Sequence, residues 1–120
     1  HNIQELAYDP RESELLMQEL REHVGFPCIE VNQSPAMFNE PMKEFEALYM
    51  SGKLRHENNP VMNWQASNVV LRNSHAKMYY PAKERPENKI DGIVASIMAL
   101  SRSMLGEEEC IYNTRGFLEI

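Results

Sequence analysis

Sixteen of the eighteen acidic residues in this chain are glutamates; the two aspartates are Asp9 and Asp91. Where surface acids are nearly always Glu, each Asp needs a local reason. Asp9 stands in Ala7-Tyr8-Asp9-Pro10, at the end of a predicted strand and just ahead of a helical pattern. That is the place where α/β sheets present ligands. The same residues also suit a helix cap, with Asp9 at the N-cap, Pro10 in the first helical position and Glu12 in the third. Asp91 opens the most apolar helical pattern of the chain, at the border of its buried face. An acid there is expected to be paired, hydrogen-bonded or metal-bound, because desolvating it alone is costly; a cap is the simpler reading here too. The small residues Gly92, Ala95 and Ala99 would let this helix approach a strand closely. If the helix packs across the sheet, the two carboxylates converge as hard oxygen ligands of the kind that suit Mg²⁺ or Mn²⁺. With cations nearby to hold phosphates, the matching chemistry is metal-assisted phosphodiester hydrolysis.

Such cations are present, although the net charge of -6 argues at first against a nucleic-acid partner. From Lys53 to Lys89 the chain carries seven basic residues against three acids, and everything else carries five against fifteen. The global sign therefore hides a basic middle that also contains His56 and His75, although a solvated surface would look the same. Other chemistries find no support. There is no Gly-x-x-x-x-Gly-Lys-Ser/Thr phosphate loop and no Gly-x-Ser-x-Gly nucleophile elbow. Cys28 lies in an apolar strand pattern and reads as core. Cys28 and Cys110 are too few for a disulfide framework and lack zinc-ligand spacing, which favours a reducing compartment.

The elements that must position the aspartates follow from periodicity. At 120 residues, 42% hydrophobic and 25% charged, the chain is expected to form one globular domain over 1–120 rather than a disordered segment. No apolar run is long enough for a membrane helix, and no secretory signal opens the chain. Ile3 to Tyr8 reads as a strand ended by Asp9-Pro10. Ser13 to Val24 reads as a helix with Leu16, Leu20 and Val24 on one face, widened by Met17 and stopped by Gly25. Phe26 to Val31 is a second strand, limited to an edge or a strand start by Pro27. Phe38, Met42, Phe45 and Tyr49 share a helical face. Pro41 suits a first helical position, which predicts a helix over about 41–51 capped by Gly52. Asn59-Pro60 starts a short helix through Trp64. Val69 to Arg72 and Met78 to Tyr80 form a hairpin, and Pro81 to Asn88 a charged loop. Asp91 to about Leu105 is the strongest helix, with Ile93, Ile97, Leu100 and Met104 in one stripe and Val94, Met98 and Leu105 beside it. Cys110 to Tyr112 and Phe117 to Ile120 flank a turn at Asn113 to Gly116, predicting a closing hairpin. Alternating strands and helices point to an α/β sandwich with some parallel pairing.

Four stretches, in order, resemble one known family: Leu6-Ala7-Tyr8-Asp9-Pro10; Ser51-Gly52-Lys53-Leu54-Arg55-His56; Asn59-Pro60-Val61-Met62-Asn63-Trp64-Gln65-Ala66-Ser67-Asn68-Val69; and Lys89-Ile90-Asp91-Gly92-Ile93-Val94-Ala95-Ser96-Ile97-Met98-Ala99-Leu100. The family is the C-terminal nuclease domain of the phage terminase large subunit, the DNA-packaging motor of tailed phages and prophages. The resemblance covers nearly the whole chain and extends to Ile111-Tyr112 and Arg115-Gly116-Phe117-Leu118 at its end. It implies a ribonuclease H-like mixed α/β sheet flanked by helices, here incomplete at the N-terminus. It also implies an acid cluster holding two divalent ions, Mg²⁺ or Mn²⁺, that cuts concatemeric DNA in the cytoplasm of a bacterial host. By resemblance Asp9 matches the second acid of that cluster and Asp91 the third. The first acid and the ATPase domain belong to upstream sequence, in keeping with a chain that starts at His1. Arg11 departs from the family, whose members often carry an aromatic residue there. Lys89, Lys83 and His56 are the candidate phosphate contacts, while Asn59, Trp64 and Asn68 read as structural. The implied partners are double-stranded DNA, the terminase small subunit and the portal, and no membrane.

Two rival readings remain at this level. One is a noncatalytic DNA- or partner-binding module, because a chain with two of three acids need not cut. The other is a plain α/β domain with two capping aspartates. An unpaired sheet edge would also favour a homodimer through strand pairing.

Overall fold

The computed structural model describes residues 2–11 and 13–118, with side chains described as far as 106. Its order is β1 (Leu6–Tyr8), α1 (Glu14–His23), β2 (Cys28–Glu30), α2 (Pro35–Met50), α3 (Pro60–Asn68), β3 (Val70–Asn73), β4 (Tyr79–Ala82) and α4 (Asp91–Leu118). β1 and β2 pair in parallel through the α1 crossover, with Ala7 opposite Ile29. β3 and β4 form a separate antiparallel hairpin, with Leu71 opposite Pro81. The mixed α/β class is as expected, and the parallel pair arises where alternating β and α patterns require a crossover. Both strands of that pair are shorter than their apolar patterns suggested. Pro27 sits just before β2, where its missing N–H costs no ladder bond.

The core is a cluster of Val31, Phe38, Met42, Ile93, Ile97 and Met98, with Ala7, Met62, Val69, Tyr80 and Val94 packed against it. α4 supplies its central side chain, Ile97, which is completely buried. The stripe spaced three and four residues apart on α4 is thus the buried face, although Leu105 at its edge is exposed.

Several expectations need correction. α2 starts at Pro35, six residues before Pro41, because Ser34 caps it by accepting the Met37 N–H at 3.2 Å. Pro41 is tolerated inside the helix, where its ring is buried. Interior proline costs about 3 kcal/mol, so the cap and the burial of Phe38 and Met42 outweigh it. Tyr49, assigned to the same apolar face, is exposed near the end of α2. On α1 the buried side chain is Met17, whereas Leu16 is exposed and Leu15 is 79% exposed. Periodicity identified an apolar side of that helix, but the neighbouring elements decide which part is covered. α3 runs on to Asn68, beyond the predicted Trp64. Trp64 does not pack as expected and is 47% exposed. β4 takes in Pro81, so the charged loop begins later than predicted. The expected hairpin at Cys110–Tyr112 is absent: those residues and Asn113 to Gly116 continue α4 to Leu118. Glu107 to Glu109 favour helix and contain no breaker, so the chain does not turn there. The hairpin's last two residues, 119–120, lie outside the described residues.

Gly52 ends α2 as predicted. Its φ of 71° places it in the left-handed region, and the N–H groups of Lys53 and Gly52 bond the carbonyls of Leu48 and Tyr49. This paired closure satisfies carbonyls that the last turn would otherwise leave open.

Candidate active site

Asp9 follows β1 directly and is half-buried. Its Oδ1 accepts the Arg11 N–H at 3.0 Å, closing a tight turn around Pro10. It is therefore not the cap of α1. That helix begins after Ser13, whose hydroxyl donates to the Asp9 carbonyl oxygen. The turn orients the carboxylate through one oxygen and leaves the other without a partner among the described residues.

Just before it, Tyr8 is buried and sits in a short polar chain. Its hydroxyl donates to Glu30 Oε1 at 3.2 Å and accepts from the Arg21 guanidinium. Burial, reinforced by the hydrogen bond to Glu30, pushes the Tyr8 hydroxyl above its ordinary pKa. Upstream, Glu5 pairs with Arg102 of α4, a charge-assisted contact that ties the start of β1 to that helix. The hydrogen bond from Arg102 holds the Glu5 carboxyl below its usual range.

Asp91 is the first residue of α4 and is exposed, rather than at the border of the buried face. Its carboxylate makes no hydrogen bond or ion pair with the described residues, and exposure to water removes the need for one. Nor is it the cap. The Ile90 carbonyl accepts the first helical bond, from Val94 N–H at 2.9 Å. The Gly92 N–H is instead satisfied from outside, by Gln65 Oε1 of α3 at 2.6 Å. A Cβ at Gly92 would stand 2.5 Å from Met62 Sδ and 2.8 Å from Gln65 Oε1. The small residue thus admits a neighbouring helix, where the expected close neighbour was a strand. One turn earlier, Asn68 Nδ2 donates to the Lys89 carbonyl at 3.0 Å.

Asp9 and Asp91 each stand two residues from a member of one packed cluster, Ala7 on the strand side and Ile93 on the helix side. β1 and α4 pack together. Among the described residues no three or more His, Cys, Asp or Glu side chains gather as a metal-ligand group. Lys83, Lys89 and His56 are all exposed, and the His56 imidazole accepts the Asn58 N–H at 3.1 Å through Nδ1. Asn59 is structural, as expected: its side chain caps α3 by accepting from Val61 and Met62. A groove of about 320 Å³ lies elsewhere, lined by Val31, Met37, Arg102, Met104 and Leu105. Neither aspartate lines it.

Sequence reasoning missed Gln65. Its spacing of three from Asn68 puts both amides on one face of a helix, but nothing local reveals which backbone groups they meet.

One carboxylate follows a parallel strand, a second opens the main core helix, and a basic stretch of sequence lies between them. Residues 1–107 match the model of the terminase large subunit endonuclease domain, and the chain belongs to that family. Over 83 residues, 68% of its length, it is 43% identical to Protein YmfN of Escherichia coli (strain K12), spanning 18% of that protein. Its fold is similar to that of the HK97 bacteriophage large terminase seen by crystallography. The TM-score is 0.71 at 24% identity, over 84% of this chain and 21% of that one. The fold is thus the ribonuclease H-like one of terminase nuclease domains. The chain spans about a fifth of the length of the proteins it matches.

Proposed function

We propose that Asp9 and Asp91 are two of the carboxylates that hold divalent ions in a DNA endonuclease site of a terminase large subunit. The site cuts concatemeric double-stranded DNA during genome packaging in the host cytoplasm. The observation that carries this reading is the state of the two carboxylates. Asp9 is oriented through one oxygen, and Asp91 is exposed; among the described residues the other Asp9 oxygen and the Asp91 carboxylate have no partner, in a chain of this family.

The donor set fits the group. Aspartate oxygens are hard ligands of the type that Mg²⁺ and Mn²⁺ take, and neither ion needs a cage made entirely of protein. Two such ions would supply Lewis-acid polarisation of the phosphate and would lower the pKa of the attacking water. The chain's own residues do the rest. The turn at Arg11 aims the Asp9 carboxylate, and the start of α4 presents Asp91. Lys83, Lys89 and His56 hold the phosphodiester backbone. Backbone contacts of this kind position DNA without reading its sequence, which suits an enzyme that must cut at many sites. In the intact protein the terminase small subunit and the portal would bring the DNA and receive it.

Asp91→Asn in the intact protein is expected to reduce Mn²⁺-dependent plasmid cutting to background while its melting temperature stays unchanged. Undiminished cutting would remove Asp91 from the site. A second reading is a module that binds DNA without cutting it, since this chain supplies two of the three acids that the resemblance implies. Tight, salt-sensitive DNA binding that ignores Mn²⁺ would support that module instead.

A further inference from the structure

We propose that Gln65 and Asn68 are positioning residues for Asp91, two amide side chains of α3 that hold the backbone on either side of it. The inference rests on the reading of Asp91 as a metal ligand and adds how that ligand is kept in place. Asn68 Nδ2 holds the Lys89 carbonyl at 3.0 Å, and Gln65 Oε1 holds the Gly92 N–H at 2.6 Å. Asp91 lies between these two anchor points.

The physical need is specific to a helix start. The first N–H groups of a helix have no partner within it, and a capping side chain from the preceding residue normally satisfies one. Here the preceding residue is Ile90, which is buried and has no polar atom in its side chain. If Asp91 folded back to cap its own helix, its carboxylate would be spent on that bond. Gln65 supplies the missing acceptor from another element, so the Asp91 carboxylate stays available to a cation. Ile90 and Ile93, both buried, anchor the apolar side of the same turn. Gly92 completes the device, because a Cβ there would collide with Met62 Sδ and with Gln65 Oε1 itself.

Groups that orient a metal ligand typically contribute about 10- to 100-fold to metal affinity. The test uses the intact protein with four variants. Gln65→Met removes the accepting oxygen while keeping side-chain length. Gln65→Glu keeps an accepting oxygen in place. Asn68→Asp removes the donor at nearly constant shape, and Asp91→Asn is the reference. Three quantities are read: hydrogen exchange of the Gly92 amide, Mn²⁺ binding by electron paramagnetic resonance, and plasmid cutting as a function of Mn²⁺.

Gln65→Met and Asn68→Asp should each weaken Mn²⁺ binding about ten-fold and raise the Mn²⁺ needed for half-maximal cutting by a similar factor. Cutting at saturating Mn²⁺ should change far less. Gly92 exchange should accelerate in Gln65→Met, while Gln65→Glu restores both Gly92 protection and Mn²⁺ binding. If Asp91→Asn is inactive but Gln65→Met and Asn68→Asp bind Mn²⁺ like the parent, the positioning role is overturned and the nuclease reading stands. If Asp91→Asn itself cuts and binds Mn²⁺ normally, the reading of the site fails first, and the positioning role with it. Should Gln65→Met disturb exchange throughout the molecule, Asn68→Asp and Gln65→Glu decide the matter.

Discussion

At the residue scale, the Glu5–Arg102 pair is a contact that responds to pH. Both side chains remain partly accessible, at 29% and 31%, so the pair is worth about 1 kcal/mol or less. The folded Glu5 carboxyl sits below its ordinary pKa because Arg102 hydrogen-bonds to the charged form. The unfolded chain therefore takes up its proton first as pH falls. The stabilisation is complete above the ordinary carboxylate range and disappears as pH drops through the depressed folded value. Glu5→Gln is expected to lower stability by that amount in urea unfolding at pH 7. The difference from the parent should vanish in strong acid; an equal loss at both pH values would show that packing, not charge, is what the pair contributes.

At the element scale, α4 is the piece on which the rest assembles. It packs on β1, α2 and α3, and Ile97 is its fully buried centre. Truncating such a side chain removes burial and leaves a cavity, so Ile97→Ala should cost about 2–5 kcal/mol. That is a large share of the roughly 5–15 kcal/mol that holds a typical domain together. Ile97→Val should cost only about 0.5–1.5 kcal/mol, which keeps the measurement possible if the alanine variant unfolds. Chemical denaturation of the two variants checks the pair; equal costs would mean the surrounding side chains collapse to fill the space. The existence of α4 was legible from its apolar stripe and its start at Asp91. Its continuation past Gly106 was not, because Cys110 to Leu118 holds residue types that suit a strand pair as well as a helix. The start of α2 was misread for a related reason. Two prolines compete there, and the Ser34 hydrogen bond that settles the matter becomes visible only once the backbone is placed.

At the scale of the whole molecule, neither outer edge of the parallel pair meets another strand among the described residues. Leu6 N–H bonds the Pro27 carbonyl and the Tyr8 carbonyl accepts Val31 N–H, so the polar groups of Ala7 between them face away from β2. Unpaired strand edges recruit other strands. Ile3 and two leucines of α1, Leu15 and Leu16, are also exposed. The chain is therefore expected to self-associate as a homodimer through β1. Light scattering from micromolar to millimolar concentration tests this, and a monomer throughout would rule it out.

Local pattern is enough to place the chemistry-bearing residues on their elements. Asp9 ends a strand and Asp91 begins the main helix, because strand and helix periodicities are local and each is read over a few residues. The Asn59 cap and the Gly52 closure were legible for the same reason, since each involves groups within a turn of one another. Which residue partners which is set by the packing of distant segments. Gln65 reaches Gly92 across 27 positions and Asn68 reaches Lys89 across 21. Met17 rather than Leu16 is covered on α1, and a helix rather than a strand meets Gly92. Spacing along the chain fixes which face a residue occupies. What lies opposite that face depends on how distant segments pack, and no local pattern carries that information.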